Sequence, residues 1–206
     1  MSCWPLHEDG TWREYTRRRC QGPALFLDRD GVIVEETRYL HEPAKVRLVT
    51  GITDIMGRAN AGGIPVIVVT NQGGIGRGLY RWEDFAAVQE EITRRLNRAG
   101  VHWDGVLASP FAPGDSPMRK PRPGMLLAAA AKLGIDRAGS WIIGDRETDI
   151  EAGHAAGLAG GIMVGDGYGS GERQRALGFD EPGRYLVRTV QTPADAVAHL
   201  PFLVNP

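Results

Sequence analysis

Two aspartates separated by one residue, Asp28 and Asp30, close an apolar run in the stretch "ALFLDRDGV". Like charges so near one another repel, and burying either is costly unless a cation lies between them. Three further polar groups follow apolar runs. Thr70-Asn71-Gln72-Gly73-Gly74 ends "IPVIVVTN", Lys120 sits in the proline-bracketed "RKPRPG", and Gly144-Asp145 ends "SWIIGD", with Asp149 shortly after. Carboxylates, a hydroxyl, an amide and cations together suit phosphoryl transfer. A carboxylate can attack phosphorus and form an aspartyl-phosphate that water later hydrolyses. A second carboxyl can protonate the leaving oxygen and then take a proton from the attacking water. Asp28 and Asp30 are expected to fill these two roles. Thr70, the amides near Asn71 and Lys120 are expected to hold the phosphoryl oxygens. Clustered carboxylates also call for a hard divalent cation; Mg²⁺ takes such oxygens together with waters and a substrate phosphate.

These groups must be brought together by the elements that carry them. "PALFLD", "IPVIVVTN", "VHWDGVLASP", "SWIIGD", "GGIMVGDG" and "YLVRTV" read as buried strands. Helices are expected over "GITDIMGRANAGG", "RWEDFAAVQEEITRRLNRAG", "PRPGMLLAAAAKLG", "ETDIEAGHAAG" and "TPADAVAHL". In the second, Phe85, Val88, Ile92, Leu96 and Ala99 form one apolar face that Gly100 ends; Gly134 stops the third and Thr192 caps the last. Strictly alternating strands and helices imply an α/β fold, Rossmann-like, with a mainly parallel sheet between two helical layers. Ligands of such sheets bind beyond the carboxyl ends of the strands, where the polar clusters fall. Residues 1–22 read as an irregular leader and 23–206 as a single domain; 109–122 and 165–183 are the other least regular stretches.

The chain has 206 residues, 24% of them charged and 42% hydrophobic, with a formal net charge of −1. That balance argues against a broad nucleic-acid or membrane footprint. No apolar run is long enough to span a bilayer, and the first 20 residues lack an apolar signal core. Cys3 and Cys20 make neither a disulfide framework nor a zinc site. The expectation is a cytoplasmic monomer acting on a small phosphorylated metabolite.

Four motifs in order now carry a resemblance to the haloacid dehalogenase (HAD) phosphohydrolases: Asp28-Arg29-Asp30-Gly31-Val32, Thr70 after "VIVV", Lys120 in "RKPRPGM", and "GDRETD". "FLDRDGVI", "VVTNQGGIGRG" and "RKPRPGML" are similar to heptose 1,7-bisphosphate phosphatases and histidinol-phosphate phosphatases. The resemblance implies a HAD-like fold, Asp28 as nucleophile, Asp30 as acid/base, and Mg²⁺ held by Asp28, the backbone carbonyl of Asp30, and Asp145. It implies substrate contacts from Thr70, Asn71, Arg77, Arg119, Lys120 and Arg146. Arg146 stands where family members usually carry lysine, and Gly73 and Gly76 replace Ser and Ala. Heptose enzymes commonly carry a zinc loop before the motif-three lysine. Here Ser109, Phe111, Ser116 and Met118 occupy the ligand positions, so no zinc is predicted. The spacing between motifs also leaves no room for a large cap domain, so specificity falls to loops.

Plainer readings cover several residues. An EF-hand counted from Asp28 would need Gly and Glu where Ile33 and Tyr39 stand, so it fails. Asp54 and Asp84 read as solvated helix residues, and His41, His102, His154 and His199 as structural or surface. Asp149 suits a helix first turn as well as the site. Trp4, Trp12 and Tyr15 are read as covering the domain's own surface. Three functions stand: a Mg²⁺-dependent sugar-phosphate or bisphosphate phosphatase, a histidinol-phosphate or other small phosphomonoester hydrolase, and a non-catalytic module on the same scaffold. Arg77, Arg119 and Arg146 are expected to be available for a second anionic group.

Overall fold

The computed structural model describes residues 4–114, 116–169 and 171–204; Cys3 lies outside them. The β-branched and aromatic runs form strands β2 (Leu25–Leu27), β3 (Val66–Asn71), β4 (Gly105–Ser109), β5 (Trp141–Gly144), β6 (Gly160–Val164) and β7 (Leu186–Val190). All six run parallel, and β1 (Trp12–Tyr15) adds an antiparallel edge against β4. The order is β1-β4-β3-β2-β5-β6-β7. The chain builds outward from β2 to β4, then returns to the other side of β2 with β5. The paired aspartates therefore follow the central strand at the point where the winding reverses.

Between the strands lie α1 (Ile52–Ala61), the short turn α2 (Gly73–Gly76), α3 (Trp82–Arg98), α4 (Gly124–Leu133), α5 (Glu147–Ala156), α6 (Glu172–Leu177) and the terminal α7 (Pro201–Val204). Side chains alternate across β2: Leu25 and Leu27 join the core beneath α1 and α3, while Phe26 joins the core beneath α4 and α5. Two apolar layers thus sandwich the sheet, as the α/β reading expects. Phe85, Val88, Ile92 and Leu96 are buried along one face of α3. Gly134 ends α4 in the left-handed region at φ 75°. No cap domain stands between β2 and α1 among the described residues; the segment is turns, a bridge from Val34 to Leu48 and a 3₁₀ turn at Pro43–Lys45.

Three local expectations differ. The leader is not irregular throughout, since β1 extends the sheet into it. Its Trp12 is 3% exposed and packs on Trp4, Trp82 and Phe85 with centroids 5.2–5.8 Å away. Charged neighbours hide this strand in the sequence, and its antiparallel sense falls outside the strand–helix alternation. The aromatic residues do cover the protein's own surface. Within 165–183, Glu172–Leu177 is helical, too short a stretch for a periodic signal. The closing helix is 3₁₀ over Pro193–His199, with Thr192 and Asp195 capping it.

Candidate active site

The carboxyl ends of β2, β3 and β5 open into a cavity of about 500 Å³ whose floor holds Asp28, Thr70, Lys120, Asp145 and Asp149. Asp28 continues β2, its N–H donating to the Ile143 carbonyl at 2.9 Å. Lys120 reaches it from the loop before α4. Its buried ammonium lies 2.8 Å from Asp28, 2.6 Å from Asp149 and 2.7 Å from the Val69 carbonyl. The Val69 carbonyl accepts a hydrogen bond from it, and the two carboxylates pair with its charge. Asn71 fixes the Lys120 backbone from both ends of its amide, donating to the carbonyl (2.9 Å) and accepting from the N–H (3.1 Å).

Asp30 faces the other way. Arg29 grips both of its oxygens at 3.0–3.2 Å, and Gln72 Nε2 donates to it at 2.9 Å. Arg29 is fully buried; Gln89 and Gln72 accept from it, and it stacks on Phe85 at 5.2 Å. Gln72 also donates to Thr70 Oγ1 at 2.7 Å and accepts from the Tyr80 hydroxyl. Sequence reasoning assigned no role to Arg29, Gln72 or Tyr80. The available signal was an arginine between two aspartates in an otherwise buried segment, a place where a charge must be paired.

One acidic trio stands out among the described residues: Asp28, Asp145 and Asp149 offer oxygens all within 4.8 Å of one another. Burial first, and the neighbouring carboxylates Asp149 and Asp30 after it, push the Asp28 carboxyl up to about 7 despite Lys120. Burial, then Asp28 and Asp149, push Asp145 up to about 8. A buried, all-oxygen donor set of three crowded carboxylates fits a hard divalent cation such as Mg²⁺. Gly31 and Gly144 are required for this approach. A Cβ on Gly31, which sits at φ 82°, would lie 2.0 Å from Asp145 Oδ2, and one on Gly144 would lie 2.2 Å from the Asp149 Cβ. Asp149 accepts from the Arg146 N–H at 3.0 Å, so it is both helix cap and part of the acidic trio.

The arginines ring the mouth, but the three expected to be available already have protein partners. Arg77 donates to the Gly73 carbonyl and stacks on Tyr39 at 4.9 Å. Arg119 donates to the Phe111 carbonyl at 2.7 Å. Arg146 pairs with Glu172 at 2.9 Å and stacks on Tyr168 at 4.6 Å. The loops place aromatic faces and acceptors beside them, which pre-organises the guanidinium forks. Tyr168, from the Gly-rich stretch, donates to Asp145 at 2.9 Å. His41 and His154 are structural: His41 stacks on Tyr80, and His154 meets Tyr185 edge-on.

Residues 117–193 match the HAD-hydrolase-like family model. A D-glycero-beta-D-manno-heptose-1,7-bisphosphate 7-phosphatase of Mesorhizobium japonicum is 45% identical, over 78% of this chain and 79% of that protein. The chain belongs to the heptose-1,7-bisphosphate 7-phosphatase family of HAD-like hydrolases. The Burkholderia mallei relative, named for the alpha anomer, is 40% identical over 69% of this chain and 80% of its own. A HAD-like phosphatase structure from Mesorhizobium loti superposes with a TM-score of 0.84 at 39% identity, covering 97% of this chain and 96% of that one. The D,D-heptose 1,7-bisphosphate phosphatase of B. bronchiseptica, solved with magnesium and phosphate, gives 0.75 at 27% identity, over 86% and 97%. As a member of this family the chain is a phosphatase, and its mostly parallel sheet with helices on both faces is that of the HAD fold. No described helix is long and apolar enough to cross a membrane.

Proposed function

We propose that this chain hydrolyses one phosphate of a heptose 1,7-bisphosphate through an aspartyl-phosphate on Asp28, with Mg²⁺ as cofactor. The observation that carries the reading is the convergence of Asp28, Lys120 and the acidic trio on the floor of one cavity whose mouth is lined by arginines. Asp28, Asp145 and the backbone carbonyl of Asp30 would hold Mg²⁺, with Asp149 supporting them through Lys120. When bound, the ion supplies positive charge that offsets both the carboxylates and the phosphoryl oxygens.

Asp28 attacks phosphorus as the bond to the sugar oxygen breaks, and Asp30 gives that oxygen its proton. Asp30 then takes a proton from water, whose oxygen bonds to phosphorus as the Asp28–phosphorus bond breaks and inorganic phosphate leaves. Arg29 and Gln72 donate to the Asp30 carboxylate and fix its position in the form that takes the proton from water. Lys120 keeps Asp28 oriented and, with Thr70, faces the phosphoryl oxygens. Arg77, Arg119 and Arg146, with Asn71 behind them, shape the anion-binding mouth. The reading keeps the expected cytoplasmic monomer. None of the four zinc-loop positions carries a Cys or His, so the reading includes no zinc.

Phosphate release from both anomers of D-glycero-D-manno-heptose 1,7-bisphosphate, from histidinol phosphate and from p-nitrophenyl phosphate tests this. The bisphosphate is expected to give the highest kcat/KM, with activity lost in EDTA and restored by Mg²⁺. Higher efficiency on histidinol phosphate would move the assignment to that substrate.

A further inference from the structure

The cavity has a fourth arginine at its mouth, and it differs from the others in two ways. Arg38 lies on the strap between β2 and α1 and lines the cavity together with Glu36, Tyr39 and Leu40. It and Tyr39 are the only non-glycine residues with positive φ among those described, at 49° and 59°. Side chains adopt this region at a cost, and such costs persist where the surroundings impose them.

What imposes it is visible on both sides. On one side Glu35 N–H donates to the Arg47 carbonyl at 2.9 Å, and Glu36 accepts from the Arg38 N–H at 2.6 Å. On the other, the Tyr39 ring lies under Arg77, and Leu40 is 2% exposed. His41 Nδ1 donates to the Tyr39 carbonyl at 2.7 Å and stacks on Tyr80, which is tied to Gln72. The strap is thereby clamped to the loop after β3, with Arg38 at its tip. Arg77, Arg119 and Arg146 each have protein partners. The Arg38 guanidinium has no hydrogen bond, ion pair or ring contact among the described residues. Glycine would satisfy this backbone without strain, yet an arginine stands there, exposed at the rim of an anion site.

We infer that Arg38 is a specificity-determining residue whose guanidinium binds the second anionic group of the substrate, the one that is not hydrolysed. The inference rests on the bisphosphate reading and names the residue that would carry it. The planar fork takes two oxygens of a phosphate at once. It approaches from the strap, across the mouth from the floor that holds the reacting group, and needs no partner displaced before it can bind.

The test compares wild type, Arg38→Gly and Arg38→Lys as full-length protein, with heptose 1,7-bisphosphate and p-nitrophenyl phosphate as substrates. Wild type is expected to prefer the bisphosphate. In Arg38→Gly the ratio of the two kcat/KM values is expected to fall about tenfold or more, mainly through KM. Arg38→Lys should recover part of the ratio, because it restores charge without the fork. The Arg38→Gly melting temperature should be no lower than wild type's and up to about 4 °C higher, as strain is relieved. An unchanged ratio, or equal loss on both substrates, overturns the assignment while leaving the bisphosphate reading intact. A lower melting temperature also overturns it, since Arg38 would then be held for the fold. If wild type shows no preference, the bisphosphate reading itself fails, and this inference falls with it.

Discussion

At Lys120, one buried ammonium faces two carboxylates and the Val69 carbonyl. Breaking a buried ion pair from one side costs about 3–5 kcal/mol, because the remaining charge is left uncompensated. Lys120→Met should lose stability on that order in urea denaturation, and lose more at pH 8 than at pH 5, where Asp28, pushed up to about 7, is protonated. A loss under about 1 kcal/mol at pH 8 would show that the two aspartates do not depend on this ammonium. For the chemistry, Asp28→Asn keeps the shape but removes the nucleophile, so turnover should collapse with the fold intact by circular dichroism. Asp30→Asn keeps the backbone carbonyl and the contacts' shape but removes proton transfer, a loss of about 10²–10⁴ in kcat. Retention of more than a fifth of the activity in Asp30→Asn would point to another acid.

Among the elements, β1 is the test of how far the sheet extends. Its register against β4 runs from Trp12 opposite Ala108 to Tyr15 opposite Gly105. Trp12 sits in the same aromatic cluster as Phe85 of α3, and Arg29 stacks on that same Phe85. The edge strand thus supports, two contacts away, the arginine that orients Asp30. Truncating a buried aromatic side chain costs about 3–5 kcal/mol. At about 2–4 °C per kcal/mol for a chain of this size, Trp12→Ala should lower the melting temperature by roughly 6–20 °C. A shift of only a degree or two would mean that β1 is a loosely docked edge.

For the molecule as a whole, the site charges set a pH dependence opposite in sign to that of ordinary acid denaturation. Asp28 is pushed up to about 7 and Asp145 to about 8, while unfolded aspartates titrate near 4. Between those values the folded state binds more protons than the unfolded one, so stability falls as pH rises. Surface carboxylates whose pKa is lowered, such as Glu91 and Asp195, act below that window. In EDTA the protein should therefore melt at a lower temperature at pH 8 than at pH 5.5. Mg²⁺ should raise the melting temperature at both, and more at pH 8, where binding displaces fewer protons. At a concentration a hundred times its Kd, a ligand of the folded state adds about 2.7 kcal/mol. A flat or rising profile in EDTA between pH 5.5 and 8 would contradict the crowding of these carboxylates.

Much of this protein is local in origin and so can be read along the chain. Strands such as Val66–Asn71 and helices such as Trp82–Arg98 are written in the period of their apolar residues, and Gly134 in its freedom to take positive φ. The order of those elements placed Asp28, Thr70 and Asp145 at one edge of a parallel sheet, because right-handed connections leave few other ways to wind them. Partnership between residues far apart in sequence has no such local mark. Nothing near Asn71 says that its amide will hold the backbone of Lys120, and nothing near Arg146 says that Glu172 will take its guanidinium. The antiparallel β1, the burial of Arg29 against Asp30 and the strained tip at Arg38 likewise arise from packing between separate segments. Periodicity and local propensity determined which elements form and which edge carries the chemistry. Only the tertiary structure decided which charges are spent on the protein itself and which remain to meet a substrate, because that depends on distances between groups that the chain brings together only by folding.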